Sequence, residues 1–372
     1  MRVALVHDWL TGMRGGEKVL LSLARLYPDA PIFTLLHVRG SVAPELEDRD
    51  IRTTFVQHLP AADRRYRHYL PLFPAAAAAI DLRGFDLVVS SSHCVAKGVR
   101  PAADALHVCY CHTPMRYVWD RYDDYFGPGR VSPLAGVLIG RVAAGLRAWD
   151  SASASRVHRF VANSRYVAER IRRYYGRDST VIPPPVDTDF FTPGGPAPGR
   201  FDLLVSALAP YKRIELALEA YRGTGRPLRI VGTGPERARL EALAPPEATF
   251  LGWVDDATLR QLYRECRAVL MLGVEDFGIV PLEAMACGRP AIVFGEGGGL
   301  ETVVEGRTGL VFREPSAASL RAVVDSLEGV RFNDVTLRAQ AEAHSRRTFE
   351  SRFRAFVDEA LSERRKEHRR PA

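Results

Sequence analysis

The stretch EDFGIVPLE places two glutamates, Glu275 and Glu283, eight positions apart around a Phe-Gly step. Eight residues are nearly two helical turns, so a single helix would carry both carboxylates on one face. Gly278 interrupts that helix, however, and Pro281 fits best in a first helical turn. The sequence therefore predicts a helix that starts near Pro281, with Glu283 in its first turn and Glu275 on the loop before it.

The loop that enters this helix has the features of an anion site. The backbone amides around Phe277, Gly278 and Ile279 have no partners inside the predicted helix, and a helix N-terminus favours negative charge. A carboxylate stands at each side of these amides. We interpret the loop as a candidate grip for a sugar phosphate.

Two cations, Lys212 and Arg213, occupy the start of a predicted helix in the sequence PYKRIELALEA. Cations at a helix N-terminus oppose its dipole, so a bound anion would account for them, and a diphosphate is the obvious candidate. The alternative for Arg213 is an ordinary first-turn residue facing solvent. Gly232 and Gly234 lie in another strand-end turn, VGTGPE, which can cradle a base and ribose.

The N-terminal half carries two further candidate sites. Gly15 and Gly16 follow the first predicted strand and precede a helix, so their backbone can approach a phosphate, although a plain tight turn is equally consistent. His112 ends the apolar run ALHVCYCH. It is a candidate acid, base or hydroxyl-binding group, and a histidine that caps local backbone is the alternative.

Short apolar runs alternate with helical patterns along the whole chain, which predicts an α/β fold of doubly wound parallel sheets. The pattern restarts after a Pro- and Gly-rich segment, so we expect two Rossmann-like domains that bind ligand where their strand ends face one another across a cleft. The expected divisions are an acceptor-binding domain at 1–182, a linker at 183–199, a nucleotide-sugar-binding domain at 200–345, and a C-terminal helix packing back on the first domain, with a basic tail, at 346–372. The runs interpreted as strands are 2–8, 86–92, 105–112, 159–164, 201–208, 227–234, 248–254, 268–273 and 290–296.

Composition narrows the functional classes. The chain has 372 residues and a formal charge of +7. Residues 1–190 hold 25 Lys and Arg against 19 Asp and Glu, a surplus of +6 that suggests an anionic lipid or phosphate partner or simply a solubilising surface. The five cysteines form no CxxC pair, which favours reduced thiols. We see no signal peptide and no apolar run of the ~20 residues that span a bilayer.

Taken together, these motifs resemble glycosyltransferase family 4, of the two-domain GT-B architecture, over essentially the whole chain. Glu275 and Glu283 match the E-x7-E motif of that family, with Phe277 and Gly278 in their usual places. The stretches VHDWLTGMRGGEK, CHTPMRYVWD, NSRYVAERI and PYKRIELALEA are similar to bacterial mannosyltransferases of O-antigen and exopolysaccharide assembly. The resemblance implies a retaining transferase with GDP-mannose as donor and a lipid-linked saccharide as acceptor.

The resemblance also implies roles for single residues. Lys212 and Arg213 would stabilise the departing diphosphate, Glu275 would accept hydrogen bonds from sugar hydroxyls, and Glu283 would hold the ribose. His112 would contact the sugar from the other domain. One position departs from the family pattern, because Ala207 stands where many members have an arginine; Arg213 is expected to replace it.

Several alternatives remain open. A nucleotide-sugar epimerase or a phosphorylase can use the same fold, and so can a non-catalytic scaffold, although a scaffold has no need of both glutamates. Asp187 and Asp189 form a DxD triplet inside the linker, and we expect no metal, no other cofactor and no nucleic-acid partner. The basic and aromatic stretches 64–73 and 134–149 are either membrane-contacting or packed helices. We expect a cytoplasmic protein, peripheral on the inner face of the plasma membrane, and the sequence leaves its oligomeric state open.

Overall fold

The computed structural model describes residues 1–127, 132–194, 199 and 201–368. The chain divides into two compact units. The first comprises residues 1–185 and the chain from Phe349 onward, and the second comprises Val186–Thr348. Each unit is a parallel sheet covered by helices, as the alternation of apolar runs and helical patterns predicts.

The first unit contains a seven-stranded parallel sheet whose strand order is β3-β2-β1-β4-β5-β6-β7. The central strands consist of almost completely buried residues, because helices cover both faces of the sheet. The strands are β1 Val3–His7, β2 Ile32–Thr34, β3 Ile51–Thr53, β4 Leu87–Ser92, β5 Leu106–Cys111, β6 Arg159–Ala162 and β7 Ser179–Val181. The helices are α1 Gly15–Leu26, α2 Pro44–Glu47, α3 Ala62–Arg65, α4 Phe73–Ala78, α5 Tyr122–Phe126, α6 Pro133–Ser153 and α7 Arg165–Tyr175.

The second unit contains a six-stranded parallel sheet in the order β10-β9-β8-β11-β12-β13. Its apolar strand residues pack against helices on two sides, in two separate core clusters. The strands are β8 Asp202–Val205, β9 Leu228–Val231, β10 Ala248–Gly252, β11 Val269–Met271, β12 Ala291–Phe294 and β13 Gly309–Phe312. The helices are α8 Ile214–Tyr221, α9 Arg237–Leu243, α10 Asp256–Glu265, α11 Ile279–Ala286, α12 Gly299–Thr302, α13 Ala317–Ser326, α14 Asp334–Glu342 and, leaving the unit, α15 Arg346–His368.

Helix α15 returns the chain to the first unit. Phe349, Phe353 and Val357 are buried in the same core cluster as β1 and β4. The rings of Phe349 and Phe353 lie 5.7 and 6.5 Å from that of Tyr110 on β5. The tail residues 369–372 lie outside the described part of the chain. No helix in the described ranges has both the length and the apolarity to cross a membrane.

The segment interpreted as a linker, 183–199, is more ordered than its composition suggests. Val186 forms a parallel bridge with Ser345, and Phe191 is buried beside Tyr263 in the second unit. The change of unit therefore falls at Pro185, and most of the segment belongs to the second core. Residues 195–198 and 200 lie outside the described residues.

Asp8, directly after β1, fixes the turn that follows β4. Its carboxylate is completely buried and accepts four backbone N–H hydrogen bonds, at 2.6–3.0 Å, from His93, Cys94, Val95 and Ala96. A buried anion is stable only when its oxygens are paired, and here the pairing joins two neighbouring strand ends. This carboxylate thus sets the edge of the sheet at which His112 also lies.

We predict that Asp8→Asn destabilises the first unit by about 3 kcal/mol, because the new NH2 group faces backbone donors and leaves at least one of them unpaired. Thermal unfolding followed by circular dichroism measures the effect. The control is Asp255→Asn, where the exposed side chain caps α10 and accepts a hydrogen bond from the amide of Thr258. Asparagine caps a helix as well as aspartate does, so the control should unfold at the wild-type temperature. Equal unfolding temperatures for both variants would contradict this role of Asp8.

Candidate functional site

The loop with the two glutamates enters α11 earlier than predicted. The helix begins at Ile279, with Gly278 at the N-cap in a positive-φ conformation (φ +124°), so the predicted start near Pro281 is wrong by two residues. A side chain at Gly278 would be strained and would lie 3.0 Å from Thr302 Oγ1. Glycine permits the chain to turn directly into the helix, and the amides of Phe277, Gly278 and Ile279 therefore do belong to a helix N-terminus.

Glu275 lies on the loop before α11 and forms an ion pair with Lys212. The backbone of Glu275 is held by a bridge to Gly297 and accepts a hydrogen bond from the amide of Gly298 at 2.7 Å. The side chains of Lys212 and Glu275 are only 15% and 21% exposed. The structure thus brings together two residues that the sequence assigned to one site and that are 63 positions apart.

Lys212 ends the 3-10 turn Pro210–Lys212 that follows β8. This turn packs on Gly273, where a Cβ would lie 2.8 Å from the carbonyl oxygen of Tyr211 and 3.2 Å from the Cα of Lys212. A side chain at position 273 would therefore push the turn away from Glu275. The close approach of the two loops depends on this glycine.

Arg213 adopts a conformation that is uncommon for a residue with a side chain. Its φ is +53°, in the left-handed region, and it serves as the N-cap of α8. The guanidinium lies over the ring of Phe294, 4.9 Å from its centroid. One of its nitrogens, Nη1, is buried and has no hydrogen-bond partner among the described residues. Arg213 is therefore not the simple solvent-facing residue of the alternative interpretation.

Glu283 lies in the second turn of α11, not in the first, because the helix starts at Ile279. It is only 3% exposed and accepts a hydrogen bond at 2.9 Å from the hydroxyl of Tyr263 on α10. Burial, followed by the charge of Glu283, raises the pKa of Tyr263 well above its ordinary value, so that the phenol stays protonated and donates. The structure places this carboxylate inside the unit, in contact with a core tyrosine.

Gly232 and Gly234 are held by backbone packing. A Cβ would lie 1.9 Å from the carbonyl oxygen of Ser206 at Gly232 and 2.3 Å from that of Leu208 at Gly234. Both glycines let the turn after β9 contact the end of β8. The next turn, after β10, presents Trp253 with 76% of its surface exposed.

The N-terminal candidates His112, Gly15 and Gly16 lie at one edge of the first sheet. His112 follows β5 and bonds through Nε2 to Ser91 Oγ at 2.8 Å. Gly15 and Gly16 open α1. A Cβ at Gly16 would lie 3.4 Å from His7 Cε1 and 3.7 Å from His112 Nε2, whereas a Cβ at Gly15 would meet nothing within 4 Å. Gly16 therefore lets α1 approach two imidazoles.

Sequence reasoning missed the polar residues around His112, namely the buried His7, Asp8, Glu17 and Ser91 and the partly exposed His93. A usable signal was present, because each polar residue except Glu17 lies at the carboxyl end of an apolar run that becomes β1 or β4. The carboxyl ends of neighbouring parallel strands meet at one sheet edge. Only Glu17, on α1, requires knowledge of how the helix packs.

The DxD triplet is engaged in ion pairs. Asp187 Oδ2 lies 3.7 Å and Asp189 Oδ2 lies 3.1 Å from guanidinium nitrogens of Arg346. These carboxylates therefore have a structural partner at the start of α15.

Two protein-family profiles match this chain, one over most of each unit. The profile of Glycosyltransferase Family 4 matches residues 13–190, and that of Glycosyl transferases group 1 matches residues 187–343. A D-inositol 3-phosphate glycosyltransferase from Geodermatophilus obscurus is 34% identical over 45% of this chain and 45% of its own. A GDP-mannose-dependent α-(1-6)-phosphatidylinositol monomannoside mannosyltransferase from Mycolicibacterium smegmatis is 29% identical over 44% of this chain and 51% of its own. The chain thus spans about half the length of the curated relatives it matches.

The fold is that of a solved structure, Alr3699/HepE from Anabaena in complex with UDP and glucose. The TM-score is 0.70 at 17% identity, and the match covers 96% of this chain and 99% of the other. At this identity the likeness bears on the fold alone. It shows two parallel-sheet α/β domains of the GT-B class, as the sequence motifs imply.

Proposed function

Because the chain carries a glycosyltransferase family 4 domain followed by a glycosyl transferases group 1 domain, we propose that it is a retaining hexosyltransferase. It takes a sugar from a nucleotide sugar and transfers it to a saccharide acceptor. The observation that carries this proposal is the pairing of Lys212 with Glu275 beside the N-terminus of α11. A cation, a carboxylate and backbone amides are the groups that a sugar diphosphate requires.

The reaction breaks the bond between the anomeric carbon and the diphosphate oxygen and forms a bond from that carbon to an acceptor oxygen. The leaving diphosphate takes up the electron pair of the broken bond, and one of its oxygens takes up the proton that the acceptor hydroxyl gives up. Lys212, Arg213 and the amides of the α11 loop stabilise the growing negative charge. Glu275 accepts hydrogen bonds from hydroxyls of the transferred sugar. This charge distribution requires no metal ion, and we propose that the enzyme uses none.

Donor binding must replace the Lys212–Glu275 ion pair. Both side chains are mostly buried, so each would be costly to leave without a partner. A diphosphate supplies a new partner for Lys212, and the sugar hydroxyls supply new partners for Glu275. One ligand with both groups therefore satisfies both residues at once, whereas a free diphosphate or a free sugar satisfies only one.

We propose GDP-mannose as the donor, a lipid-linked saccharide as the acceptor, and cell-surface polysaccharide synthesis of the O-antigen or exopolysaccharide type as the setting. The family resemblance supports this choice, and the name of the mycolicibacterial relative includes GDP-mannose. Glu283 and the turns containing Gly232, Gly234 and Trp253 are the proposed nucleoside contacts. Transfer assays with GDP-mannose and UDP-glucose in parallel test the choice, because a preference for UDP-glucose would contradict it. If both nucleotide sugars are hydrolysed at equal rates and no sugar is transferred to an acceptor, the result would favour a different enzyme class.

We further propose that the first unit contacts an anionic membrane surface. Within 64–73, Tyr66 and Phe73 are buried in the core and cannot insert into a membrane, so the packed alternative holds for these two side chains. Leu72 of this stretch is 42% exposed, and the more exposed apolar side chains are on α6, where Val137 and Leu138 are 61% and 65% exposed near the exposed Arg141. The side chain of residue 134, which the sequence interpretation included, lies outside the described side chains.

We predict that Glu275→Gln folds normally and loses about 10- to 100-fold in turnover, because an amide accepts hydrogen bonds from sugar hydroxyls less strongly than a carboxylate does. Initial rates of transfer from GDP-mannose measure the loss, with the unfolding temperature as the check on folding. Asp276→Asn, the same chemical change on the next residue of the loop, is the control and should keep most of the activity. Transfer at the wild-type rate by Glu275→Gln would remove Glu275 from the site.

The second prediction concerns Arg213. If it shares the diphosphate with Lys212, then Arg213→Ala and Lys212→Ala each weaken GDP binding by about 10-fold or more, and the double variant shows non-additive coupling. Isothermal titration with GDP measures these affinities. Arg222→Ala removes an exposed arginine after α8 that donates to the carbonyl oxygen of Leu243 at 2.8 Å, and it should bind GDP as the wild type does. Unchanged GDP affinity in Arg213→Ala would leave Lys212 as the single cation of the site.

The third prediction tests the membrane surface. A Val137→Ser, Leu138→Ser double variant should lose most of its co-sedimentation with phosphatidylglycerol vesicles, because the apolar contact is removed while the arginines remain. Val335→Ser, at an apolar residue of the second unit that is 77% exposed, is the control. Binding that is the same for phosphatidylglycerol and phosphatidylcholine vesicles, or equal in both variants, would contradict the proposal.

A further inference from the structure

A chain of polar side chains leads from the interior of the first unit to His112. His112 Nε2 lies 2.8 Å from Ser91 Oγ, and Ser91 Oγ lies 3.1 Å from His7 Nδ1. On the far side of the His7 ring, Nε2 has no hydrogen-bond partner among the described residues and lies 3.9 Å from Glu17 Oε1, which is an electrostatic contact and not a hydrogen bond. We propose that Glu17, His7 and Ser91 are positioning residues that fix the proton of His112 on Nε2. We refer to these four residues as the relay.

Burial distinguishes the relay from a chance surface network. Glu17, His7 and Ser91 are 3%, 1% and 0% exposed, whereas His112 is partly exposed. Electrostatic interactions are stronger where little water screens them, so the orientation of one buried polar group influences that of its neighbour. His112 is the partly exposed member of the relay, and its imidazole is the group proposed to contact the sugar.

The negative end of the relay is Glu17. Burial alone would raise the pKa of Glu17, but its interaction with His7 holds the pKa below the ordinary value, so the group is a carboxylate at neutral pH. A second contact anchors it, because Glu17 Oε2 accepts a hydrogen bond at 3.1 Å from the amide of Arg14. The helix cap of α1 therefore holds the charge in place.

The direction of every hydrogen bond follows from this charge. The carboxylate of Glu17 favours a proton on the nearer nitrogen of His7, Nε2, and leaves Nδ1 as an acceptor. Ser91 then donates its single hydroxyl hydrogen to His7 Nδ1. The Ser91 oxygen, having used its hydrogen, accepts from His112, and His112 must carry its proton on Nε2.

The other titratable and charged groups around the relay do not change which atoms of the relay donate and which accept. Burial, followed by the neighbouring His7, lowers the pKa of His93 to about 3, so His93 is neutral. The positive charges of Arg14 and Arg116 lower that pKa further. Tyr110, whose ring centroid is 5.1 Å from that of His112, donates its hydroxyl to the carbonyl oxygen of Ile182 at 2.9 Å. Asp8, the other carboxylate near the relay, lies 3.1 Å from His93 Nδ1 and accepts backbone amides, so Glu17 is the carboxylate nearest to His7 Nε2 in the relay.

The consequence for chemistry rests on the proposed function. With the proton on Nε2, the Nδ1 atom of His112 carries the lone pair, and it can accept a hydrogen bond or a proton from a sugar or acceptor hydroxyl. With the proton on Nδ1, the same ring would offer a donor there, and the hydroxyl would have to rotate. The relay therefore determines whether Nδ1 of His112 accepts a hydrogen bond from a hydroxyl or donates one to it.

The same sheet contains a matched control. Ser90, the neighbour of Ser91 on β4, lies 2.8 Å from His107 Nε2, and both residues are completely buried. The other nitrogen of His107, Nδ1, lies 3.0 Å from the carbonyl oxygen of Arg156. Ser90 and His107 form a serine–histidine bond of the same length as that of Ser91 and His112; it also starts from β4, and its histidine is completely buried.

Nitrogen-15 NMR of the imidazole side chains tests the proposal without any substrate. The long-range proton–nitrogen correlations of a neutral histidine report which nitrogen carries the proton, and a His112→Gln spectrum identifies the signals of His112. In the wild type we expect the Nε2–H tautomer. Ser91→Ala and Glu17→Gln should both give a mixture of tautomers, whereas Ser90→Ala should leave the His112 signals unchanged. Glutamine at position 17 still accepts from the amide of Arg14, so this variant removes the charge and keeps the helix cap.

Kinetics with GDP-mannose give a second readout. Ser91→Ala should lower kcat between about 10- and 100-fold through loss of orientation. KM should change less than kcat, since Lys212 and Glu275 belong to the other unit. Ser90→Ala should retain the wild-type kcat.

Three results would overturn the proposal: an Nδ1–H tautomer in the wild type, an unchanged tautomer in Ser91→Ala, or the same loss of kcat in the Ser90 and Ser91 variants. Failure of the proposed function looks different. If the wild type transfers no sugar but Ser91→Ala and Glu17→Gln still change the tautomer of His112, the relay stands and the glycosyltransferase proposal falls.

Discussion

The ion pair between Lys212 and Glu275 joins two loops that follow separate strands of the second sheet, β8 and β11. Opposite charges that are mostly withdrawn from water must find each other, so the pair holds the two loops together. Gly273 permits the approach, and the amides of the α11 loop complete the surroundings. The proposed donor chemistry follows from this constraint, because the groups that neutralise each other are those that a sugar diphosphate can separate.

The first unit also contains buried carboxylates, and their partners are groups of the protein itself. Asp8 is saturated by four backbone amides and shapes the turn after β4, whereas Glu17 remains close to a histidine and orients it. Two buried carboxylates near one sheet edge thus do different work because their partners differ. A carboxylate that accepts backbone amides stabilises the fold, whereas a carboxylate next to a histidine influences which ring nitrogen carries the proton.

The sequence predicted the fold class and nine of the strand positions, because buried parallel strands leave continuous apolar runs. It missed β2, β3, β7 and β13, which are only three or four residues long and contain Thr, Arg, Ser or Gly that break an apolar run. Glu275, Lys212 and His112 were recognisable from their positions at strand ends. The bond from Tyr263 to Glu283 and the position of Glu17 depend on how helices pack, and no local pattern reports that.

Helix α15 has a consequence for biosynthesis. The chain leaves the first unit at Pro185, builds the second, and only then supplies Phe349, Phe353 and Val357 to the first core. Domains generally fold in order as they emerge from the ribosome. Here the unit that is translated first is completed last, so during translation it exposes the apolar surface that α15 will cover. The second unit, although translated later, can complete its core before the first unit receives these three residues from α15.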